Sequence, residues 1–280
     1  MIAKTVNKIK LLSTITMEVT TNPLLAKLDR IPGEMGRLPS HGIGYEEGVF
    51  DETVQNGDVL VFPASSFDEI LLKTSEKLLS GDAIYEVFKR KIPSILNPRK
   101  LFLKDVEFLM TMLRKVTYGD ELQVEFTHVC PDAKPHHYVL RLSTFIGNTK
   151  RIDPTKHKNK FSLPNGQDVI IKNMLFMDML ELTQLTIKMS NNENINENDI
   201  EDATCEALAR TIESVDGCVD KEFIKQWLRE IPVTYKHTIS EQMNELSASW
   251  GMDIDHKTKC KDCGQDISLR PILNPISFFM

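Results

Sequence analysis

Two cysteines two residues apart and followed by glycine, Cys260-Lys261-Asp262-Cys263-Gly264, make the one metal-type motif of this chain. Two thiolates at that spacing can face a single ion, and the glycine relieves the turn so that amide groups point at sulfur. A tetrahedral ion needs two further donors. The segment around 128–137 offers His128, Cys130, His136 and His137. Cys130-Pro131 has the form of the first half of a ribbon-type knuckle, but Ala133 stands where the second cysteine would fall. The nearest replacements are His136 and His137. The expected set is therefore Cys130, His136, Cys260 and Cys263 around one structural zinc, with His128 and His137 as the alternatives for the fourth place. It would tie together segments 130 residues apart. Four protein donors leave no open position for water, so such a site does not imply catalysis. An empty pair and a redox pair are the competing readings, and a thioredoxin-like redox pair would need a βαβ setting rather than a short loop before a strand.

Other residue groups carry less. Cys130 beside two histidines has the elements of a nucleophile and its base, but no oxyanion-hole glycine motif or orienting acid accompanies it. Glu46-Glu47 and Asp51-Glu52 lie in or near a glycine-rich loop and read as solvated charges. The stretch 147–160 is polar and basic and reads as an exposed loop. There is no Gly-Lys-Ser/Thr phosphate loop and no GxGxxG after a strand. Cys205 and Cys218 read as bystanders, and Trp227 and Phe278-Phe279 as candidate anchors for a partner.

Composition narrows the classes. The 280 residues are 41% hydrophobic and 26% charged, enough apolar content for a core and far from a disordered composition. Thirty-four Lys+Arg against 40 Asp+Glu give a net charge of −6, which argues against a dedicated nucleic-acid binder. No apolar run is long enough for a membrane span, and the N-terminus lacks the apolar stretch of a signal peptide. Five cysteines without a secretory signal predict reduced thiols in a cytoplasm rather than a disulfide framework.

The elements that must position the cysteines alternate between strands and helices. Residues 11–19 alternate apolar and polar and predict a strand, 29–48 a loop of consecutive turns, and 57–63 a short buried strand. Ser65 or Ser66 opens a helix, with Glu69 at capping-box spacing from Ser66. Asp82 caps a second helix, and 104–117 predicts a third, stopped by Gly119. Two alternating runs, 121–129 and 137–145, predict a hairpin, and 161–173 a second one turning at Asn165-Gly166. Helices follow over 174–189, 199–215, 221–230 and 240–250, with 190–199 as a polar linker. The tail returns to extended structure through the CxxC. This is an α+β chain of separated hairpins with packed helices. Its expected divisions are 1–56 (strand and loop), 57–173 (central helices and hairpins), 174–250 (a helical subdomain) and 251–280 (the CxxC return).

The order of motifs resembles a known family. A LPS-x-G turn (Leu38 to Gly42) precedes DEILL (68–72), then LKDVEFLMTMLRKVTYGDELQVEF (103–126) running to the Cys-Pro knuckle. LPNG (163–166), Trp227, CxxCG and a terminal NPxxFF complete the series. Over roughly 36–280 this resembles the base-plate proteins of T-even-like contractile-tailed bacteriophages, among them baseplate hub components and hub-assembly proteins. The resemblance implies a non-enzymatic part in building the phage tail. It further implies assembly in the host cytoplasm, other baseplate and tail proteins as partners, a place in the virion, and neither a membrane nor a small-molecule substrate. Ala133 departs from the knuckle expected of relatives.

Overall fold

In the computed structural model, residues 31–130, 134–155, 158–190 and 196–271 are described. The strand expected at 11–19 and the terminal NPxxFF lie outside them. The chain divides after Pro32, and every helix and strand named belongs to the unit that begins at Gly33. The fold is α+β, as expected: helices packed on small antiparallel sheets.

Strand β1 (Glu34–Arg37) pairs antiparallel with β2 (Asp58–Val61). Between them runs the glycine-rich loop, which folds back so that Leu38 N–H bonds the Gly57 carbonyl at 2.9 Å. Helix α1 (Ser66–Lys73) opens with a capping box one residue earlier than the spacing predicts: Ser65 is the N-cap and Asp68, not Glu69, reaches back to it. Short α2 (Ser75–Leu79) and α3 (Asp82–Lys91) follow. The long helix α4 (Leu103–Tyr118) buries Val106, Phe108, Leu109, Met110, Met112 and Leu113. At about 1.5–3 kcal/mol for each fully buried large side chain, this face is a major stabilising element of the first core. Phe108 and Met112 lie against Gly36 of β1, where an added Cβ would come within 3.2 Å of Met112.

Strands β3 (Glu121–Phe126) and β4 (His136–Arg141) form the first expected hairpin. The second strand is shorter than its alternation suggests. Leu142–Gly147 is a helix, α5, whose start is fixed from a distance: Asp120 accepts from the amide and the hydroxyl of Ser143, both at 2.7 Å. The basic stretch is not loop throughout, because β5 (Lys158–Ser162) begins inside it and pairs with β6 (Asp168–Lys172) across the Asn165-Gly166 turn. Lys158 and Lys160 are paired with Glu213 and Asp168.

Helix α6 (Phe176–Ser190) sends Phe176 and Leu180 into the first core. Helix α7 (Glu197–Thr211) ends earlier than its apolar stripe predicts, and Ile212–Val215 becomes β7, a third strand beside β6. Lys221 Nζ caps this corner by donating to the carbonyls of Ala209 and Ile212. Helix α8 (Lys221–Glu230) matches its expected range, whereas α9 (Val233–Ala248) starts seven residues before the expected Ser240.

Buried apolar side chains fall into two main clusters. The first gathers β2, β3, β4, α1–α5, the start of α6 and, through Cys260, Ile267 and Leu269, the C-terminal hairpin. The second joins β5, β6 and β7 to α7, α8 and α9. The ends of the chain forming this second lobe are drawn together by reciprocal backbone bonds between Lys150 and Gly251, at 2.9 and 2.8 Å. Beside them, Trp250 is buried with Phe102 and Ile152, and its indole N–H donates to Asn173 at 3.0 Å.

Candidate metal centre

Two hairpins build the site, each through its loop. The β3–β4 loop carries His128 and Cys130. The second hairpin consists of β8 (His256–Lys259) and β9 (Asp266–Leu269), and its turn is the CxxC segment. That turn is closed by Cys260 N–H to the Gln265 carbonyl at 2.8 Å and by Gly264 N–H to the Cys260 carbonyl at 3.0 Å. Gly264 sits at φ +70°, a backbone conformation that side-chain-bearing residues adopt at a cost. The glycine of the motif is thus what lets the loop turn back over its first cysteine.

These two loops bring His128, Cys130, Cys260 and Cys263 together, with one donor atom from each lying within 4.8 Å of all the others. Cys263 Sγ is 3.4 Å from His128 Nδ1. An ion with sulfur at about 2.3 Å spans tetrahedral edges of roughly 3.8 Å, so the group is close to ligating size and needs only a small contraction. Cys260 is buried, His128 and Cys130 are half-buried and Cys263 is exposed, which places the group at the surface with its base in the first core.

Electrostatics also suits a cation. Backbone N–H groups of Cys263 and Asp262 point at Cys260 and hold its thiol down at about 6. Burial, followed by the neighbouring Cys263 and Cys260, pushes the Cys130 thiol up to about 11. One thiolate is therefore favoured in the bare protein, and further thiolates beside it require a positive ion. The residues present fit a divalent soft-ligand metal.

Of the sequence-derived set, the structure brings three residues together. Cys130, Cys260 and Cys263 converge, but the histidine beside them is His128. His136 opens strand β4 opposite Phe126, and its Nε2 lies 2.8 Å from Asp262 Oδ1. His136 holds the Asp262 carboxyl below its usual range. His137 is on the other face, 3.7 Å from Glu125. Lys261 crosses to the same strand, donating to the His137 carbonyl at 2.5 Å, with its ammonium 4.8 Å from the centre of the Tyr138 ring. Asp262 Oδ2 also accepts from Lys134 N–H at 3.3 Å. The only sequence signal for His128 is its position two residues before Cys130; the alternation over 121–129 places it in a strand, but β3 ends at Phe126 and leaves it in the loop.

The remaining candidates are accounted for by the fold. Cys205 is buried in the second core and Cys218 is exposed. Trp227 is half-buried, its indole N–H bonded to Gln167 at 3.0 Å. A cleft of about 610 Å³ between α6 and α7 is crossed by ion pairs of Arg210 and Lys225 with Glu181 and Glu206. No helix among the described residues is long and apolar enough to cross a membrane.

No curated protein and no solved structure matches this chain. The family model described as T4 bacteriophage base plate protein matches residues 62–280, from the end of β2 through both metal-site hairpins to the last residue. That span covers most of the sequence and includes every candidate ligand, and on it the chain belongs to the T4 bacteriophage base plate protein family.

Proposed function

We propose that this protein is a non-enzymatic building block of the baseplate hub region of a contractile-tailed phage, made in the host cytoplasm and retained in the virion. The family match over residues 62–280 is the observation that carries the reading. Supporting it, large apolar side chains stand on outer faces: Ile70 on α1, Phe223 on α8, and Val219 and Val233 flanking α8 are all more than half exposed. Large apolar side chains left on a surface are available as anchors for a partner. A net charge of −6 favours protein partners over nucleic acid. In this reading one zinc ion in the thiol cluster is a structural staple whose binding energy is folding energy.

Quantitative peptide mass spectrometry of purified particles and infected-cell lysate tests the placement. A fixed, small copy number per particle supports a hub component. Abundance in lysate with absence from particles replaces that reading with a transient hub-assembly chaperone.

A further inference from the structure

We propose that His128, Cys130, Cys260 and Cys263 form a closed four-coordinate site for one zinc-class divalent ion, and that the contacts flanking it are a latch that works without the ion. The proposal deepens the staple reading and is independent of where the chain acts in phage assembly.

The ligand set follows from placement. All four donor atoms lie within 4.8 Å of one another, two from each loop. Three thiolates and an imidazole are a soft donor set of the kind that selects zinc over the hard cations magnesium and calcium. His136 is held away by strand pairing and by Asp262, so its imidazole is committed before an ion arrives. With every tetrahedral position filled from the protein, the site leaves none for water or substrate.

The latch is made of protein contacts alone. His136 meets Asp262, Asp262 accepts from Lys134 N–H, and Lys261 donates to the His137 carbonyl. All three run between the CxxC turn and the start of β4. Beneath them, Cys260, Ile267 and Leu269 are packed in the same buried cluster as Leu122, Tyr138 and Leu140. Removing the ion therefore loosens the two loops while the hairpins remain together.

The test uses the full chain. Elemental analysis of the purified protein gives the metal per chain, and cobalt titration of the chelator-treated protein, followed by thiolate-to-cobalt absorption, gives affinity. One zinc per chain is expected. His128→Ala should weaken cobalt binding at least 100-fold and His136→Ala less than tenfold. Cys263→Ser, at an exposed position, should weaken it strongly without unfolding the chain. Failure of the wild-type protein to take up zinc or cobalt would overturn the site. Loss of binding in His136→Ala with retention in His128→Ala would overturn the ligand set. Hydrogen exchange reads the latch: chelation should deprotect the Cys260 and Gly264 amides and spare the β8–β9 ladder. Deprotection of that ladder as well would overturn it. None of these outcomes bears on the copy number in particles, so the two readings fail separately.

Discussion

Tyr45 donates its phenolic hydrogen to Asp105 Oδ2 at 2.6 Å, while its phenolic oxygen accepts from Phe102 N–H at 2.8 Å. Asp105 also accepts from Ser40 N–H at 3.0 Å, so a fully buried carboxyl on α4 pins both ends of the 40–45 loop segment. Burial raises the Asp105 carboxyl to about 6, against the bonds from Ser40 and Tyr45. The folded protein then holds a proton between about pH 4 and 6 that the unfolded chain has released. Across this window Asp105 makes stability fall as pH rises, by ~3 kcal/mol in total. Urea unfolding of wild type and Asp105→Asn from pH 4 to 7 should show the wild type losing stability relative to the variant over that range. A constant difference would refute the assignment.

Asp68 is equally buried and behaves in the opposite way. Burial opposes its charge, but the Ser65 hydroxyl and amide and the Lys91 ammonium outweigh it and hold the carboxyl below its usual range. Its stabilising contribution is present at neutral pH and is lost as pH falls through the depressed value. Asp68→Asn should cost about 2 kcal/mol at pH 7, from the lost capping box and the ion pairs with Arg90 and Lys91. The cost, followed by chemical unfolding, should shrink in acid.

Gly57 and Gly166 share a positive φ but not their surroundings. A Cβ on Gly57, at φ +73°, would lie 2.7 Å from the His41 Cα, whereas one on Gly166, at φ +86°, meets nothing within 4 Å. Gly166→Ala should cost about 1 kcal/mol of backbone strain. Gly57→Ala should cost at least about 1 kcal/mol more, because the neighbour is backbone and the loop must shift. Urea midpoints of the two variants decide it.

Lys221 supplies the donors for the carbonyls that α7 leaves behind as it becomes β7. Lys221→Met keeps the length and removes the donors and the charge. A loss of about 1–2 kcal/mol is expected, together with faster amide exchange at 212–215. Unchanged exchange there would show that strand pairing alone holds the corner.

What the sequence revealed was local. Serine and acidic residues at capping distance located α1 to within a residue, Asn165-Gly166 marked its hairpin, and CxxC-Gly marked the metal-site turn. What it hid depends on residues far away in the chain. LSTF (142–145) reads as strand until Asp120, 23 residues before Ser143 in sequence, captures it. Ile212–Val215 continues the apolar stripe of α7, and only the free edge of β6 converts it to strand. At α9, Val233, Thr234 and Tyr235 are weak helix formers after a proline, so the first two turns carry no signal. His136 is the nearest donor after Ala133, where the second knuckle cysteine would fall, but its pairing opposite Phe126 removes it from the loop.

The paired backbone bonds between Lys150 and Gly251 have a mechanical consequence. They short-circuit the 101-residue path between those two positions. A pull applied at Lys150 and Gly251 themselves loads this bridge before the intervening chain, so the sheet and helices of the second lobe lie off that line of tension like a side branch. The outer face of that lobe, with Phe223 and Val233, can then be gripped by a neighbour or left free without the load passing through its core.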